Sequence, residues 1–387
     1  MASPSPSARL HQSKKTILVT GGAGFIGSHL VDALVALGHT VRVFDNLEVQ
    51  VHGNLAEQNR WPEYANPLAE YILGDVRDLT ALEKAVAGVE VIYHFAAATG
   101  VGQSMLQLAK YAAVNVQGTA NLLEALIHRS HTVEKIILAS SRAVYGEGWY
   151  KCSDCGPSAP PVRTAEALER KSWEISCPQC GKALRPLPTP ESKIPAPGSI
   201  YAITKLTQEQ LCLTYGQAYR IPTIALRFFN VYGLRQSLTN PYTGIISAFL
   251  QRLLNGQPPE VYEDGQMTRD FVYISDVVAA CLLSLDYPRS TVMNIGSGQF
   301  TTILELARTL CAIAGSDIRP RIVGVARLGD IRHCSADLQR AVAELKFHPS
   351  VSLGEGLQQI WADASSRLLR DLTAIARQEL QKFGLLK

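Results

Sequence analysis

The segment that most constrains the fold is residues 15–38, KTILVTGGAGFIGSHLVDALVALG, where a β-branched apolar run leads through glycines into a second apolar pattern. The run predicts a strand, the glycines a tight turn, and the apolar residues at helical spacing a helix that stops at Gly38. The same alternation continues to EKIILASS, which ends at Ser141. Strands that alternate with helices form right-handed βαβ units. We therefore predict an α/β fold built on a Rossmann-type, doubly wound parallel sheet.

The turn GGAGFIG spaces Gly21, Gly24 and Gly27 as GxxGxxG after the first strand. Such a turn lets a pyrophosphate approach the backbone, and the first amides of the following helix bind the anion. Asp45, at the end of the second strand, can accept hydrogen bonds from an adenosine ribose, and its charge favours NAD over NADP. Asp75 in GDVRD either bonds the adenine edge or caps the helix in LTALEKAV. A purely structural glycine turn is the alternative to a nucleotide site.

Tyr201 and Lys205 lie four residues apart in the predicted helix SIYAITKLTQEQLCLTYGQAYR, so they project from the same face. A lysine ammonium beside a phenol favours the phenolate, which predicts a lowered pKa for Tyr201 and a role as general base. Ser141 ends a strand, where open α/β sheets bind ligands, and can bond the same substrate hydroxyl. On spacing alone, however, a Tyr–Lys pair of this kind is more often a surface pair than a catalytic one.

Ten motifs from Thr20 to about His333 resemble, in the same order, those of the extended short-chain dehydrogenase/reductases that act on nucleotide sugars. They read TGGAGFIG, GDVRD, HFAA, NVQGT, SSRAVYG, YAITK, RFFNVYG, RDFVYISDV, NIGSG and RLGDIRH. The resemblance implies that Tyr201 is the catalytic base, that Lys205 binds the nicotinamide ribose, and that Ser141 orients the reacting hydroxyl. It also implies NAD as cofactor, held by Gly21, Gly24, Phe25, Ile26, Gly27, Asp45, Asn46, Asp75, Val76, Ala96, Asn115, Tyr201 and Lys205.

The same resemblance implies that the substrate is a nucleotide-diphosphate sugar. The residues it assigns to that substrate are Thr99, Ser141, Asn230, Arg269, Arg327 and Asp330. Arginine suits a phosphate because its planar fork offers two permanently charged donors. An exposed salt bridge is the alternative for each arginine taken singly. Arg332 either joins the diphosphate site or braces its loop.

Ser141, Arg142 and Ala143 stand where family members that catalyse 4,6-dehydration carry Thr-Asp-Glu. A cation and a methyl group cannot supply that acid and base, so 4-epimerisation through a 4-keto sugar fits best. The segments GVGQSM and NPYTGIISAF and a cysteine-bearing insert resemble the epimerases of thymidine-diphosphate 6-deoxyhexoses, such as dTDP-L-rhamnose. The alternatives are a UDP-hexose or UDP-uronate 4-epimerase, a net reductase or dehydrogenase, and a non-catalytic NAD-binding scaffold.

The insert, residues 148–192, carries Cys152, Cys155, Cys177 and Cys180 as two CxxCG motifs, with 21 residues between the pairs. Each motif forms a tight knuckle in which two thiolates hold one side of a tetrahedral ion, so we predict a small zinc-ribbon-like unit. Four cysteines complete the shell of Zn²⁺, which makes the metal structural. The alternatives are a labile disulfide pair and a site that has lost its metal.

The remaining expectations concern organisation, partners and location. We predict a disordered arm over residues 1–14, an NAD-binding domain over 15–229 that includes the insert, and a mainly substrate-binding domain over 230–387. The net charge of +3 is spread along the chain, which argues against a nucleic-acid partner. The sequence has neither a signal peptide nor an apolar run of about 18 residues, so we expect a cytoplasmic protein without a membrane partner. The resemblance implies a homodimer formed through the helix of Tyr201 and the helix in NVQGTANLLEALIHR.

Overall fold

The structure is a computed structural model that describes residues 13–128, 131–238, 240, 244–366 and 373–386. Most of the predicted arm, residues 1–12, lies outside these ranges, as do residues 241–243 of the NPYTGIISAF segment. Within the parts of the chain that the structure describes, no helix combines the length and the apolar character that crossing a bilayer requires.

The secondary structure begins with the strand–turn–helix unit that the first glycines predict. The strands, in chain order, are β1 (Thr16–Thr20), β2 (Thr40–Asp45), β3 (Glu70–Leu73), β4 (Val91–His94), β5 (Lys135–Ser141), β6 (Trp149–Cys152), β7 (Gly156–Ser158), β8 (Arg185–Leu187), β9 (Thr223–Phe228), β10 (Asn230–Tyr232), β11 (Glu260–Val261), β12 (Thr268–Arg269), β13 (Phe271–Tyr273), β14 (Thr291–Ile295), β15 (Thr301–Thr302), β16 (Arg321–Ile322) and β17 (His333–Cys334).

The helices alternate with the strands of the first half and then dominate the C-terminal part. They are α1 (Phe25–Ala36), α2 (Val49–His52), α3 (Leu79–Ala85), α4 (Val101–Ser104), α5 (Leu108–Tyr111), α6 (Gly118–Ile127), α7 (Ala165–Glu169), α8 (Ile200–Tyr219), α9 (Ile245–Leu254), α10 (Ile274–Leu285), α11 (Ile303–Ile313), α12 (Leu353–Ala364) and α13 (Thr373–Lys382). Short 3₁₀ turns span Gly53–Leu55 and Arg142–Tyr145, and π-helical turns span Ala112–Gln117 and Ala341–Leu345.

Seven strands form the central sheet in the order β14-β9-β5-β4-β1-β2-β3, and every neighbouring pair is parallel. Successive side chains of a strand point to opposite sides, so each face of the sheet packs against its own layer of helices. Ile17 and Val19 pack with α1 and α10, whereas Leu18 packs with α3, α6 and α8 on the other face. The predicted Rossmann-type parallel sheet is confirmed.

The C-terminal part has a core of its own. Helices α9, α11 and α12 enclose a third apolar cluster that includes Phe249, Leu310 and Leu357. Strand β14 and helix α10 follow residue 229 in the chain, yet both belong to the layers of the central sheet. The segment 230–387 therefore completes the sheet as well as building the smaller unit beside it.

The insert folds as a three-stranded antiparallel sheet in the order β7-β6-β8. Its apolar cluster consists of only five buried side chains, those of Tyr150, Cys152, Ile175, Cys177 and Leu184. A core of this size buries too little apolar surface to fold a unit unaided. Additional contacts must hold the insert together.

Candidate active site

A cavity of about 500 Å³ opens at the carboxyl ends of β1, β2, β4, β5 and β9, beside the start of α8. Open parallel sheets bind ligands at this edge, next to the point where strand order reverses. Most of the predicted site residues line the cavity: Gly21, Gly24, Phe25, Ile26, Gly27, Asp45, Asn46, Val76, Ala96, Thr99, Ser141, Tyr201, Lys205 and Asn230. The others lie outside its wall: Asp75, Asn115, Arg269, Arg327 and Asp330.

Close backbone packing at the glycine turn shapes one end of the cavity. A Cβ atom on Gly27 would lie 2.2 Å from the carbonyl oxygen of Gly21, so a larger residue would displace the turn. Helix α1 begins here without a side-chain cap, and its first residues, Phe25 and Ile26, line the cavity. Uncapped amides at a helix N-terminus bind phosphate groups, so the turn fits the pyrophosphate of a dinucleotide.

Asp45 braces this turn from the end of β2. Its Oδ2 accepts a hydrogen bond from the Ala23 amide at 3.0 Å, and its Oδ1 accepts one from the Leu47 amide at 2.9 Å. Burial raises the pKa of Asp45, while the Leu47 amide and the nearby His52 oppose that rise. Each carboxylate oxygen has a second lone pair, so the residue retains acceptor capacity for a ribose hydroxyl.

Asp75 lies behind the cavity wall, where it holds a neighbour in place. Asn46 Nδ2 donates to Asp75 Oδ2 at 3.0 Å, and hydrogen bonds from Arg77 lower the pKa of Asp75 to about 2. The alternative that Asp75 caps the next helix is wrong, because Asp78 caps α3 by accepting from the Ala81 amide. Asp75 thereby orients Asn46, which does line the cavity.

Asn115 is fully buried in the π-helical turn Ala112–Gln117. Its side chain exchanges two hydrogen bonds with the backbone of Ala98, at 2.7 and 3.0 Å, and donates a third to Thr204 Oγ1 at 2.9 Å. The loop after β4 is thereby joined to α8. Because Asn115 has no surface in the cavity, the structure places it as a support of the Ala96–Thr99 wall.

Ser141 and Tyr201 meet at the centre of the cavity. Ser199 caps α8 by accepting from the Ala202 amide, which starts the helix just before Tyr201. Tyr201 and Ser141 both line the cavity, and the Ser141 hydroxyl lowers the pKa of Tyr201. Two residues that are distant in the sequence thus form one reacting pair beside the glycine turn.

The electrostatics of Tyr201 differ from the sequence-based prediction. Burial raises the pKa of Tyr201, and the groups that lower it are Ser141, through its hydrogen bond, and Arg142, through its charge. Lys205 is buried, and its Nζ donates to Gln208 Oε1 at 2.7 Å, one turn along the helix. Burial also lowers the pKa of Lys205 to about 8. The predicted net lowering of the Tyr201 pKa is therefore wrong, because burial outweighs the hydrogen bond and the cation.

A second cluster surrounds Asp330. Burial would raise the pKa of this carboxyl, but Arg327, Arg269, Arg142 and Arg163 together hold it below its usual value. Within the described ranges, Arg142 and Arg327 make no salt bridge, and the buried Arg327 Nε has no hydrogen-bond partner. Arg163 and Arg269 each have a carboxylate partner, so the two arginines without one in the described ranges favour an anionic ligand.

Arg269 and Arg332 support this cluster through hydrogen bonds to its backbone and to carboxylates. Arg269 is buried and donates to the carbonyl oxygens of Thr268, Ile331 and Arg332 at 2.8 to 3.1 Å. Arg332 is fully buried and forms a bidentate pair with Asp264 at 2.7 and 2.8 Å. All three guanidinium nitrogens of Arg332 contact carboxylates, so this residue braces the loop.

Comparison with protein-family models places the site in a known group. The model of the NAD dependent epimerase/dehydratase family matches residues 17–166 and 175–296, which make up more than half of the chain. The chain belongs to this family. The unmatched stretch 167–174 lies inside the insert, and the whole cavity wall falls within matched residues.

Relatives within the family include several named as 4-epimerases of nucleotide sugars. The dTDP-L-rhamnose 4-epimerase of Burkholderia thailandensis is 39% identical over 350 residues, which cover 89% of this chain and 94% of the relative. The structure of the UDP-glucose 4-epimerase of Thermotoga maritima with UDP-glucose is 32% identical, with a TM-score of 0.72 and coverage of 90% and 97%. A UDP-glucuronic acid 4-epimerase of Bacillus cereus, in complex with a substrate analogue and NAD, is 28% identical, with a TM-score of 0.73 and coverage of 91% and 99%.

The four cysteines of the insert converge on one point. Their sulfur atoms all lie within 4.8 Å of one another, and Cys152 Sγ is 3.5 Å from Cys180 Sγ. Zn–S bonds of about 2.3 Å at tetrahedral angles require sulfur separations of about 3.8 Å, so the cluster fits one zinc ion. All four thiols are free of disulfide bonds in this structure.

The backbone at each CxxCG motif explains the final glycine. Gly156 and Gly181 have φ angles of +81° and +75°, which favour glycine, while a Cβ atom at either position would meet no other atom. The positive φ angle of the turn therefore favours glycine at both positions, whereas a side chain there would have enough room. Backbone hydrogen bonds from Cys155 and Asp154 lower the pKa of Cys152 to about 7.

Two arginines near the cavity were missed or undervalued by sequence reasoning. Arg142 counted only as evidence against dehydration, yet it lines the cavity, and its charge lowers the pKa of both Tyr201 and Asp330. Its position next to Ser141 was the available signal. Arg163 lies in the insert, where neither periodicity nor a motif marks it, and nothing in the sequence pointed to it.

Proposed function

We propose that the protein is an NAD-dependent 4-epimerase of a nucleotide-diphosphate sugar, and that the sugar is a dTDP-6-deoxyhexose of the dTDP-L-rhamnose type. The observation that carries the proposal is the arrangement around one cavity. Ser141, Tyr201 and Arg142 line the cavity together with the glycine turn, and the charge of Arg142 lowers the pKa of both Tyr201 and Asp330. A hydride carrier, a base and a diphosphate site are the parts that this reaction needs.

In the proposed mechanism Arg269 and Arg327 hold the diphosphate of the substrate and Asp330 holds its nucleotide ribose, which directs C4 of the sugar towards Tyr201. The Ser141 hydroxyl orients the C4 hydroxyl, and the Tyr201 phenolate accepts its proton. The glycine turn and Asp45 would hold NAD, which would supply the hydride acceptor and donor for C4. Tyr201 then returns the proton to the C4 oxygen.

Dehydration fits this cavity poorly. The positions after Ser141 that would have to supply an acid and a base are occupied by Arg142 and Ala143, and both line the cavity. A guanidinium stays protonated and a methyl group transfers no proton. Neither can remove water across C5 and C6, so the chemistry supported best is transfer of hydride away from C4 and back.

The choice of sugar rests on relatives. The relative that is 39% identical acts, by its name, on dTDP-L-rhamnose, whereas the two structural relatives described above are UDP-sugar 4-epimerases. A UDP-hexose or UDP-uronate is therefore the second candidate. Thr99, which lines the cavity, stands where UDP-galactose 4-epimerases usually carry a lysine, and this difference supports the dTDP-sugar.

A substrate panel tests the proposed function. The purified protein with NAD is incubated with dTDP-, UDP- and GDP-sugars, and the configuration at C4 is determined by NMR. We expect inversion at C4 with dTDP-L-rhamnose and no net change in NADH. Stoichiometric conversion of NADH would indicate a net reductase or dehydrogenase. Tight NAD binding without turnover of any sugar would indicate a binding scaffold.

We also propose that Cys152, Cys155, Cys177 and Cys180 hold one structural Zn²⁺ in a zinc-ribbon-like insert. The closed set of four sulfurs leaves no position for a substrate, so the metal's contribution is folding energy. The small core of the insert supports this role. Reduced thiols persist in the cytosol, which supports a cytoplasmic location that cell fractionation can test.

We retain the division into an NAD-binding part over 15–229 and a mainly substrate-binding part over 230–387. The cavity supports it, because the glycine turn and the Ser141–Tyr201 pair come from the first part. The residues around Asp330 come largely from the second. Domain exchange with a relative of different sugar preference tests the division, since nucleotide preference should follow residues 230–387.

A homodimer through α6 and α8 completes the proposal. Ile127 on α6 and Ile203 and Tyr219 on α8 are large apolar side chains that lie exposed on the single chain. A second copy would cover them and remove apolar surface from water. Sedimentation velocity at micromolar concentration should give a mass of two chains, and a monomer would contradict this assembly.

Arg142 should influence the pH dependence of catalysis. Its charge lowers the pKa of Tyr201, so Arg142→Gln raises that pKa, and a base with a raised pKa is deprotonated only at higher pH. We expect kcat/KM at pH 7 to fall about tenfold, with the rising limb of the pH profile displaced towards alkaline pH. Arg142→Lys, which keeps the charge, should keep the limb in place. An unchanged profile in Arg142→Gln would contradict this role.

A further inference from the structure

The insert is joined along its length to the segment that carries the proposed diphosphate residues. We call residues 327–333, RLGDIRH, the diphosphate loop. At the entry to the insert, the Gly148 amide donates to the carbonyl of His333 at 3.1 Å. At its exit, Thr189 exchanges backbone hydrogen bonds with Ser335 and Asp337 at 2.8 and 3.1 Å. Both ends of the insert are thereby bonded to the chain at or just after this loop.

Glu147, which precedes the insert, anchors the end of the diphosphate loop. This residue is only 1% exposed, and its carboxylate accepts from the amides of Arg332 and His333 at 2.8 and 3.0 Å. The Tyr150 hydroxyl donates to the same carboxylate at 2.7 Å. A buried carboxylate needs such donors, so the position of the loop and that of the insert depend on each other.

Arg163 provides the corresponding contact from the interior of the insert. Its guanidinium forms a bidentate pair with Glu263 at 2.7 and 2.8 Å, and both side chains are buried, at 4% and 1% exposed. The same guanidinium donates to the carbonyl of Asp330 at 3.3 Å and to that of Trp173 at 3.2 Å. One side chain therefore connects the insert, the C-terminal part and the centre of the diphosphate loop.

The network closes through Arg332. This residue of the diphosphate loop donates to Glu263, the partner of Arg163, at 2.8 Å, and also to Glu174 of the insert. The planar fork of arginine fixes direction as well as distance, and a lysine cannot reproduce it. Glu263 Oε2 thus accepts from both arginines, so the insert and the diphosphate loop share this carboxylate.

We propose that Arg163 is a positioning residue for the substrate diphosphate, and that through it the folded insert sets the affinity of the diphosphate loop for the nucleotide part of the substrate. The inference rests on the proposed function, because it takes Arg327 as a residue that binds the phosphate and Asp330 as one that binds the nucleotide ribose. Arg163 itself contacts no reacting atom. It fixes the backbone at Asp330, and through that backbone the direction in which the loop presents its charged side chains.

Arg163→Lys tests the proposal, because it keeps the charge and removes the bidentate fork. Affinities for dTDP, UDP and NAD are measured by calorimetry on the purified full chain, with zinc content and thermal unfolding recorded alongside. We expect binding of the preferred nucleoside diphosphate to weaken about tenfold and KM to rise by the same factor. We expect kcat, NAD affinity and zinc content to stay as in the wild type. The matched control is Arg185→Lys, an exposed arginine of the insert, which should change none of these quantities.

Hydrogen exchange provides a readout that does not depend on turnover. Amides of residues 328–333 should exchange faster in Arg163→Lys, while those around Gly27 should be unaffected. Unchanged nucleotide affinity in a folded Arg163→Lys variant would overturn the positioning role. A fall in kcat without a rise in KM would also overturn it. Binding to the wild type is measured before any variant. If the wild type binds neither dTDP nor UDP, that result contradicts the proposed nucleotide-sugar function itself.

Discussion

Tyr201→Phe is expected to lower kcat for C4 epimerisation by about 10³-fold, or roughly 4 kcal/mol of transition-state stabilisation. The substitution removes only the phenolic oxygen and leaves the ring in contact with Tyr111. NAD affinity should stay within about twofold, because the glycine turn and Asp45 are untouched. Turnover is measured by NMR at C4, and NAD binding by fluorescence.

The control for this variant lies on the same helix. Tyr219→Phe near the end of α8 makes the same chemical change on the proposed dimer surface, outside the cavity wall, and should leave kcat unaltered. A kcat of Tyr201→Phe within tenfold of the wild type would exclude Tyr201 as the base. Phenylalanine has no hydroxyl that can titrate. The same variant should therefore also lose the rising limb of the pH profile that Tyr201 is expected to produce.

The local parts of this site were accessible from sequence. The glycine turn, β1 and α1 depend on contacts between residues close together in the chain, and their apolar periodicity and glycine spacing predict them directly. The insert likewise shows its candidate metal ligands through two short motifs. What joins Ser141 to Tyr201 is the order of the strands. The strand end and the helical spacing proposed the two residues, and the resemblance to a family assigned their roles.

The features of the site that the sequence did not predict depend on burial and on pairs of residues far apart in the chain. The sequence places Lys205 one turn from Tyr201, but it does not show that burial raises the tyrosine pKa. Arg163 and Glu263 are 100 residues apart and follow no periodic pattern. Choosing Asp78 over Asp75 as the cap of α3 depends on where the helix begins, and helix ends are the least certain feature of a sequence pattern.

The insert also bears on how the enzyme would recognise its substrate. The insert is built into the loop between Ser141 and Tyr201, and it contacts Glu263 and the diphosphate loop. Its effect on catalysis should therefore appear in nucleotide affinity rather than in the chemical step. Removal of the proposed zinc ion would test this expectation.

Cys177→Ser is expected to abolish stoichiometric zinc, from one ion per chain to less than about 0.1 by elemental analysis. Cys177 is buried within the five-residue core of the insert, so the variant loses a metal ligand and places a hydroxyl among apolar side chains. Structural zinc sites contribute about 10–16 kcal/mol in small peptides, far more than this core can replace. The insert should unfold locally, which limited proteolysis within residues 150–187 would reveal.

Removal of the zinc should change substrate affinity before it changes chemistry. Unfolding of the insert releases Arg163 from Glu263 and Asp330, so nucleoside diphosphate affinity should fall at least as far as in Arg163→Lys, while NAD binding at the glycine turn persists. Cys311→Ser makes the same chemical change outside the cluster and should retain zinc. Full zinc in Cys177→Ser would exclude the four-cysteine site. Loss of zinc with unaltered nucleotide affinity would keep the site and separate it from substrate binding.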